Sequence, residues 1–356
     1  MSRRLTVVQL LPALGNGGVE RATLEIAAAL VRAGHRSIVV SAGGRLLESL
    51  LATGSEHVVL PIGAKTPAVL ATVPKLHALL ARLRPDVVHA RSRLPAWIAR
   101  GGLRGLPIRP HFVTTVHGLN SPGWYSSVMT RGERVICVSD TVRAHVLAQW
   151  PRTPAERLVV VERGIDPARF APQAPRRRDG TPVRLLLPGR GTRLKGHAEA
   201  LHLLAALRGA GCPATLDLPG AREPGRERYI AELETLAQAL GVADAVQLSP
   251  PRDDMAAAYC DCDLVLQVST HPEAFGRTVV EALACGRPVV GWDLGGVGES
   301  LRRYFPAGLV PAGDRDALRD TTLSLLAVPA NVPPICAPTL ADMQANTLKV
   351  YESIAA

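Results

Sequence analysis

Hydrophobic and polar positions follow two rhythms along this chain. Short runs such as "LTVVQLL", "RSIVVSA", "HFVTTV", "VRLLLPG", "DLVLQVS" and "RPVVGWD" are apolar at nearly every position. Between them lie longer segments, among them "VERATLEIAAALVRAG" and "GHAEALHLLAALRGAG", where apolar residues return at helical spacing. Runs apolar on both faces suit strands of a parallel sheet covered by helices on both sides. Strand, helix, strand throughout implies open α/β sheets with right-handed crossovers. The pattern breaks at "APQAPRRRDGTP", where proline and arginine crowd together and a linker is expected. The expected organisation is a first domain over residues 1–171, a linker over 172–182 and a second domain over 183–337. A closing helix within 338–356 can pack back on the first domain or on the second.

Composition is consistent with this picture. The chain has 356 residues, long for one core and comfortable for two, with 47% hydrophobic and 20% charged residues. No apolar run approaches the roughly 20 residues needed to cross a bilayer. The start, "MSRRLTVVQLLPALGNGG", imitates an export signal, yet Gln9 and Pro12 interrupt the run and a glycine turn follows. It reads as a first β-strand. Cys137 and Cys285 lie in apolar stretches, and Cys260-Asp261-Cys262 lacks a second pair to complete a zinc site. A reduced, cytoplasmic setting is the simpler account. Charge is uneven: residues 1–171 hold 22 Lys+Arg against 10 Asp+Glu, and residues 172–356 hold 19 against 21. The first half therefore meets an acidic partner, or else presents a solvated basic face.

Open α/β sheets bind ligands at the carboxyl ends of their strands. The residues following each expected strand are Gly17-Gly18, His117, Ser139-Asp140, Arg190 with Lys195-Gly196, Glu273, and Gly295-Gly296 with Glu299. A glycine pair at a helix start is often a plain turn, but it also exposes amides to an anion. "GNGGVE" half-matches a dinucleotide fingerprint, yet Glu20 stands where its third glycine belongs and no acid follows the second strand. His117 and Arg190 taken singly are ordinary surface residues. Lys195 is less ordinary, because the chain has four lysines against 37 arginines. A compact ammonium kept among arginines suits a phosphate.

"PEAFGRTVVEALACGRPVV" sets Glu273 and Glu281 eight positions apart. It resembles the glutamate-x7-glutamate signature of retaining glycosyltransferases of family 4, which have the GT-B fold. "GRGTRLKG" is similar to the family's Arg…Lys-Gly phosphate motif, "GNGGVE" to its N-terminal glycine loop, "TVHGL" to its histidine loop, and "VVVERGID" to its Asn-Gly-Val/Ile-Asp turn. Two phrases, "MTRGERVICVSDTV" and "EAFGRTVVEAL", most resemble bacterial lipopolysaccharide core transferases. Arg163 replaces the family's asparagine, and Pro250-Pro251 stand where a glycine is common near the base.

The resemblance implies two Rossmann-like, doubly wound parallel-sheet domains facing a central cleft. It further implies a hexosyl or related transferase that uses a nucleotide-diphosphate sugar, UDP favoured over GDP. Glu273 would hold the sugar hydroxyls and Glu281 the ribose. The amides of Gly17, Gly18, Ala274, Phe275 and Gly276 would hold sugar and diphosphate. Arg190 and Lys195 would stabilise the leaving diphosphate, and His117 would lie beside the sugar ring. No His/Asp cluster has metal spacing, so neither a metal nor another cofactor is expected, nor a nucleic-acid partner. Arg91, Arg93 and Arg100, with the other basic residues near Trp97, are expected to face an anionic lipid-linked saccharide or an anionic membrane at the inner face of the cytoplasmic membrane. An epimerase or phosphorylase on the same fold and a non-catalytic GT-B scaffold or lipid-binding subunit are the alternatives.

Overall fold

The computed structural model describes residues 3–15, 17–173, 181–327 and 332–356. The chain divides into two compact units, one running to Arg163 and including Leu340–Ala356, the other Gly164–Thr339. Among the described residues the first unit carries a seven-stranded parallel sheet in the order β3-β2-β1-β4-β5-β6-β7. Its strands are β1 (Thr6–Leu10), β2 (Arg36–Ser41), β3 (Glu56–Val59), β4 (Val87–Ala90), β5 (His111–Val116), β6 (Arg134–Cys137) and β7 (Leu158–Val160). Its helices are α1 (Gly18–Arg32), α2 (Leu47–Ala52), α3 (Thr72–Leu83), α4 (Arg93–Gly102) and α5 (Asp140–Gln149).

The second unit repeats the plan with six parallel strands in the order β10-β9-β8-β11-β12-β13. These are β8 (Val183–Leu186), β9 (Ala214–Pro219), β10 (Val246–Ser249), β11 (Leu264–Gln267), β12 (Val289–Trp292) and β13 (Leu309–Val310). Its helices are α6 (His197–Gly209), α7 (Glu227–Ala239), α8 (Met255–Asp261), α9 (Arg277–Ala284), α10 (Gly295–Tyr304) and α11 (Arg315–Ala327). The all-apolar strands are explained by their two covered faces. Leu185, Leu264 and Leu266 pack with Leu201 and Leu204 of α6, while Leu186 and Val265 pack with Tyr259, Val279 and Leu283 on the other side. In each sheet the order reverses at one place, between β1 and β4 and between β8 and β11. Loops leaving those neighbouring strands open the crevice that ligands use in this class.

The boundary differs from the expected 171. The backbone N–H of Ile165 donates to Pro338 O at 3.0 Å, and Phe170 joins the core formed by Tyr259 and Val279, so residues 164–170 pack with the second unit. Most of the linker expected over 172–182 lies outside the described residues. The closing helix, α12 (Leu340–Ala355), packs on the first unit, where Met343, Val350 and Tyr351 join Leu5, Val7, Ile26 and Leu30 in one cluster. Two polar ties fix it there. Gln344 accepts from Arg32 at 2.7 Å and donates to Glu25 O at 2.9 Å. Fully buried Tyr351 places its hydroxyl 2.6 Å from His89 Nδ1, and His89 Nε2 lies 2.7 Å from Thr115 Oγ1.

An orphaned buried polar atom costs more than the bond that satisfied it was worth. We therefore expect Tyr351→Phe, which strips His89 Nδ1 of its partner, to destabilise the first unit by about 1–3 kcal/mol. Urea unfolding followed by the first unit's tryptophans (Trp97, Trp124 and Trp150) measures this. An unchanged midpoint would mean that the tie contributes nothing.

Candidate active site

The switch point of the second sheet assembles its polar residues from two loops. After β8 the chain runs through exposed Arg190 into a single 3-10 turn, Arg193–Lys195, and then into α6 through Gly196 at φ 74. A Cβ on Gly196 would lie 1.9 Å from Val268 O, so only glycine lets this loop close onto the end of β11. Thr270 N–H donates to Leu194 O at 3.0 Å and joins the two loops by backbone. There Lys195 Nζ meets Glu273 Oε1 at 2.7 Å, and Ser269 Oγ donates to the same oxygen at 2.6 Å. Both charged side chains are partly exposed, 28% for Lys195 and 22% for Glu273, so they can meet a ligand. His197, the first residue of α6, is pushed down to about 4 chiefly by burial and enters as a neutral ring.

Glu273–Gly276 is held from α10. Gly296 N–H donates to Glu273 O at 2.7 Å, and Ser300 Oγ donates to Phe275 O at 2.8 Å. Gly276, in the left-handed region at φ 72, turns the chain into α9 and leaves that helix start without a side-chain cap. A helix start of this kind favours an anion through its dipole. Glu281 is the fifth residue of α9, about 6 Å further along at 1.5 Å per residue. It is 8% exposed, and both oxygens are engaged: Oε1 by Arg277 Nε at 2.6 Å, Oε2 by the Tyr259 hydroxyl at 3.1 Å. Burial first, then the neighbouring Glu281 charge, hold the Tyr259 phenol well above its ordinary pKa, so it remains a donor.

The remaining expected residues belong to the first unit. Gly17 and Gly18 open α1, with the Glu20 carboxylate folded close over Gly17; Asn16 lies outside the described residues. His117 follows β5. Its Nδ1 is 2.6 Å from Arg163 Nη2, and its shielded Nε2 has no partner among the described residues. Burial, then Arg163, Arg91 and His89, hold its pKa well below the ordinary value.

Arg91 requires a correction. It does not face a membrane: it is 4% exposed, and its Nε donates to Gln9 Oε1 at 2.8 Å. It follows β4 at the switch point, two residues before α4, and its side chain turns inward. Arg93 and Arg100 do reach the surface, half-buried, their guanidinium groups over Tyr125 at 5.3 Å and Trp97 at 5.7 Å.

Two residues that shape the site, Ser269 and Tyr259, lie outside every motif, and each acts on a residue that a motif names. The available signal was polarity inside buried strands and their ends, where Gln9, His89, Gln267 and Ser269 interrupt apolar runs at almost no exposure.

Two family models divide the chain between them: Glycosyltransferase Family 4 over residues 16–169 and Glycosyl transferases group 1 over residues 171–343. Each half of the chain thus matches a glycosyltransferase family model. A D-inositol 3-phosphate glycosyltransferase of Salinispora arenicola is 33% identical over 218 residues, covering 56% of this chain and 48% of the relative. The chain thus spans about half the length of this curated relative. A glycosyltransferase structure from Rickettsia africae superimposes with a TM-score of 0.87 at 26% identity, covering 99% of both chains. Anabaena HepE in complex with UDP and glucose gives a TM-score of 0.81 at 21% identity, over 98% of this chain and all of HepE, and supports the two-sheet GT-B fold.

The close approach at Gly196 generates a test within this scaffold. Gly196→Ala should lose at least about 1–2 kcal/mol from the left-handed backbone alone, with the clash against Val268 O added. Gly209→Ala, where a Cβ meets nothing within 4 Å, serves as the control. Thermal unfolding should separate the two; equal melting temperatures would refute the constraint.

Proposed function

We propose that this chain is a retaining, metal-independent transferase that moves a hexosyl or related sugar from a nucleotide-diphosphate donor, UDP in preference to GDP, to an anionic saccharide acceptor. The observation that carries this reading is the Lys195–Glu273–Ser269 cluster at the head of α9, with buried Glu281 further along the same helix. In this reading one carboxylate serves the sugar hydroxyls and the other the ribose, with the start of α9 between them favouring phosphate. Lys195 and Arg190 supply positive charge where the departing diphosphate becomes more negative, the largest kind of catalytic contribution. The diphosphate oxygen would take the acceptor proton as the new bond forms on the same face. Gly17, Gly18 and His117 keep the roles their motifs imply. HepE, crystallised with UDP and glucose, supports a uridine donor.

For the acceptor, two supports converge on negative charge. The curated relatives act, by name, on D-inositol 3-phosphate. The first unit also carries a basic aromatic surface. Trp97 and Trp124 stack at 4.2 Å, Trp124 is 73% exposed, and Arg93 and Arg100 lie over neighbouring rings. Arg104, Arg109 and Arg131 stand close enough to depress Arg100, after burial has done so first. Indole rings with arginines suit the interface of an anionic membrane, which favours a lipid-linked acceptor met at the membrane surface. Among the described residues no helix is long and apolar enough to cross a membrane, so contact would be peripheral. The narrower lipopolysaccharide core role rests on the two phrases in the sequence.

Turnover is to be measured with a panel of UDP- and GDP-sugars in EDTA, with inositol phosphate and lipid-linked saccharides as acceptors. Glu281→Ala should weaken binding of free UDP at least tenfold, since hydrogen bonds to a charged group are worth about 1.5–3 kcal/mol. Glu273→Ala should instead lower kcat. Activity lost in chelator and restored by magnesium or manganese, or an unchanged Kd for UDP in Glu281→Ala, overturns these assignments.

Cosedimentation tests the surface. The chain should bind anionic but not zwitterionic vesicles, and ~0.5 M salt should release it as the Debye length shrinks. Arg104→Glu with Trp124→Ala should abolish binding and leave UDP affinity unchanged. Equal binding to both vesicle types leaves only a solvated basic face.

A further inference from the structure

Arg163 stands where the family's turn carries asparagine, and one contact defines what the exchange does. Its Nη2 lies 2.6 Å from His117 Nδ1. A guanidinium offers only donors and stays charged, so Nδ1 must supply the lone pair and the imidazole proton must reside on Nε2. An asparagine in the same place can donate or accept, and so would not choose between tautomers. The Nε2–H selected in this way is shielded and has no partner among the described residues. His117 and Arg163 line a cavity of about 20 Å³, closed by Ala22, Ile26, Arg91 and Met343 among others.

We propose that Arg163 is a positioning residue that fixes His117 as a neutral Nε2–H ring, so that this transferase keeps the imidazole beside the sugar uncharged and never as a proton source. The proposal rests on His117 serving the sugar, as above. Protonating Nδ1 would set one N–H against another and add a charge beside a cation. The charged and titratable groups facing His117 act in the same direction: Arg163 from the loop after β7, Arg91 and His89 from β4. The α1 and α12 residues lining the cavity, Ala22, Ile26, Met343 and Thr347, bring no titratable group. Tyr351 of α12 is bonded to His89, and Glu25 of α1 exerts its attraction on Arg91.

The test uses the full chain labelled with 15N-histidine, His117 being assigned by its loss in His117→Gln. In the wild type the His117 ring should be the Nε2–H tautomer at pH 7 and should titrate only well below the ordinary imidazole range. In Arg163→Met its midpoint should rise by about one pH unit or more, as expected on removing a close like charge, and both tautomers should appear. Arg163→Lys, which keeps a charged donor, should restore the wild-type spectrum. In parallel, kcat should be flat through the ordinary imidazole range for the wild type and gain an acid limb in Arg163→Met. An Nδ1–H ring in the wild type, or the same midpoint in folded Arg163→Met, overturns the proposal. If methionine prevents folding, Arg163→Asn gives the same comparison. If the midpoint moves while His117→Gln transfers sugar at the wild-type rate, Arg163 does fix the tautomer and the sugar-facing role of His117 fails.

Discussion

A sheet wound both ways from β8 and β11 must release the loops after those two strands side by side, and the ion pair between Lys195 and Glu273 is where the two loops meet. The rest of the second unit is arranged around that meeting. Gly196 lets one loop touch the end of β11, the Thr270–Leu194 bond joins the backbones, and α10 holds Glu273–Gly276 from behind. A partly exposed ion pair of this kind is worth about 0–1 kcal/mol. Its value is therefore register rather than stability. Charge placed within a few tenths of an ångström is what electrostatic catalysis requires, and the costly part of that placement is done by backbone and glycine.

Much of this was legible in the chain before any coordinates. Strands apolar at every position suited doubly covered parallel sheets, and the residues following their carboxyl ends marked where ligands collect. Lys195 stood out because arginine is the default cation, and Glu281 because a carboxylate in a core helix needs a reason. The partners were not legible. Periodicity reports which face is buried, not which polar atom meets which, so nothing in "MAAAYCDCD" marks Tyr259 as a donor to Glu281 twenty-two positions later. Arg91 failed for the same reason. Counting basic residues along a segment placed it with Arg93 and Arg100, yet it directly follows β4 and its side chain turns inward to Gln9. The family models change over at 169/171, close to the composition break, whereas the compact units divide after Arg163 because residues 164–170 pack with the second unit.

Gln9, first noticed as an interruption in an apolar run, shows how buried polarity is distributed in the first unit. Gln9, His89, Arg91 and Thr115 sit on adjacent strands at and beside the switch point, and each is held by another of them or by α12. Such a network is costly unless every member is satisfied, and rigid when it is. It lies directly beneath His117, whose pKa Arg91 and His89 help to depress. The C-terminal helix is thus part of the support for a residue more than 200 positions earlier, through Tyr351 and His89.

The ion pair also bears on how a donor would be held. If Lys195 serves a diphosphate and Glu273 a sugar, the 2.7 Å contact between them raises the question of whether it must open first. The donor count says that it need not. An ammonium has three N–H groups, and Glu273 takes one, leaving two for phosphate oxygens. Glu273 in turn uses one oxygen for Lys195 and Ser269, both on Oε1. Its Oε2 is then the acceptor for sugar hydroxyls. Each residue can meet its own part of the ligand while still holding the other in place. Ser269, unmarked by any motif, keeps the carboxylate from rotating and exchanging its two oxygens.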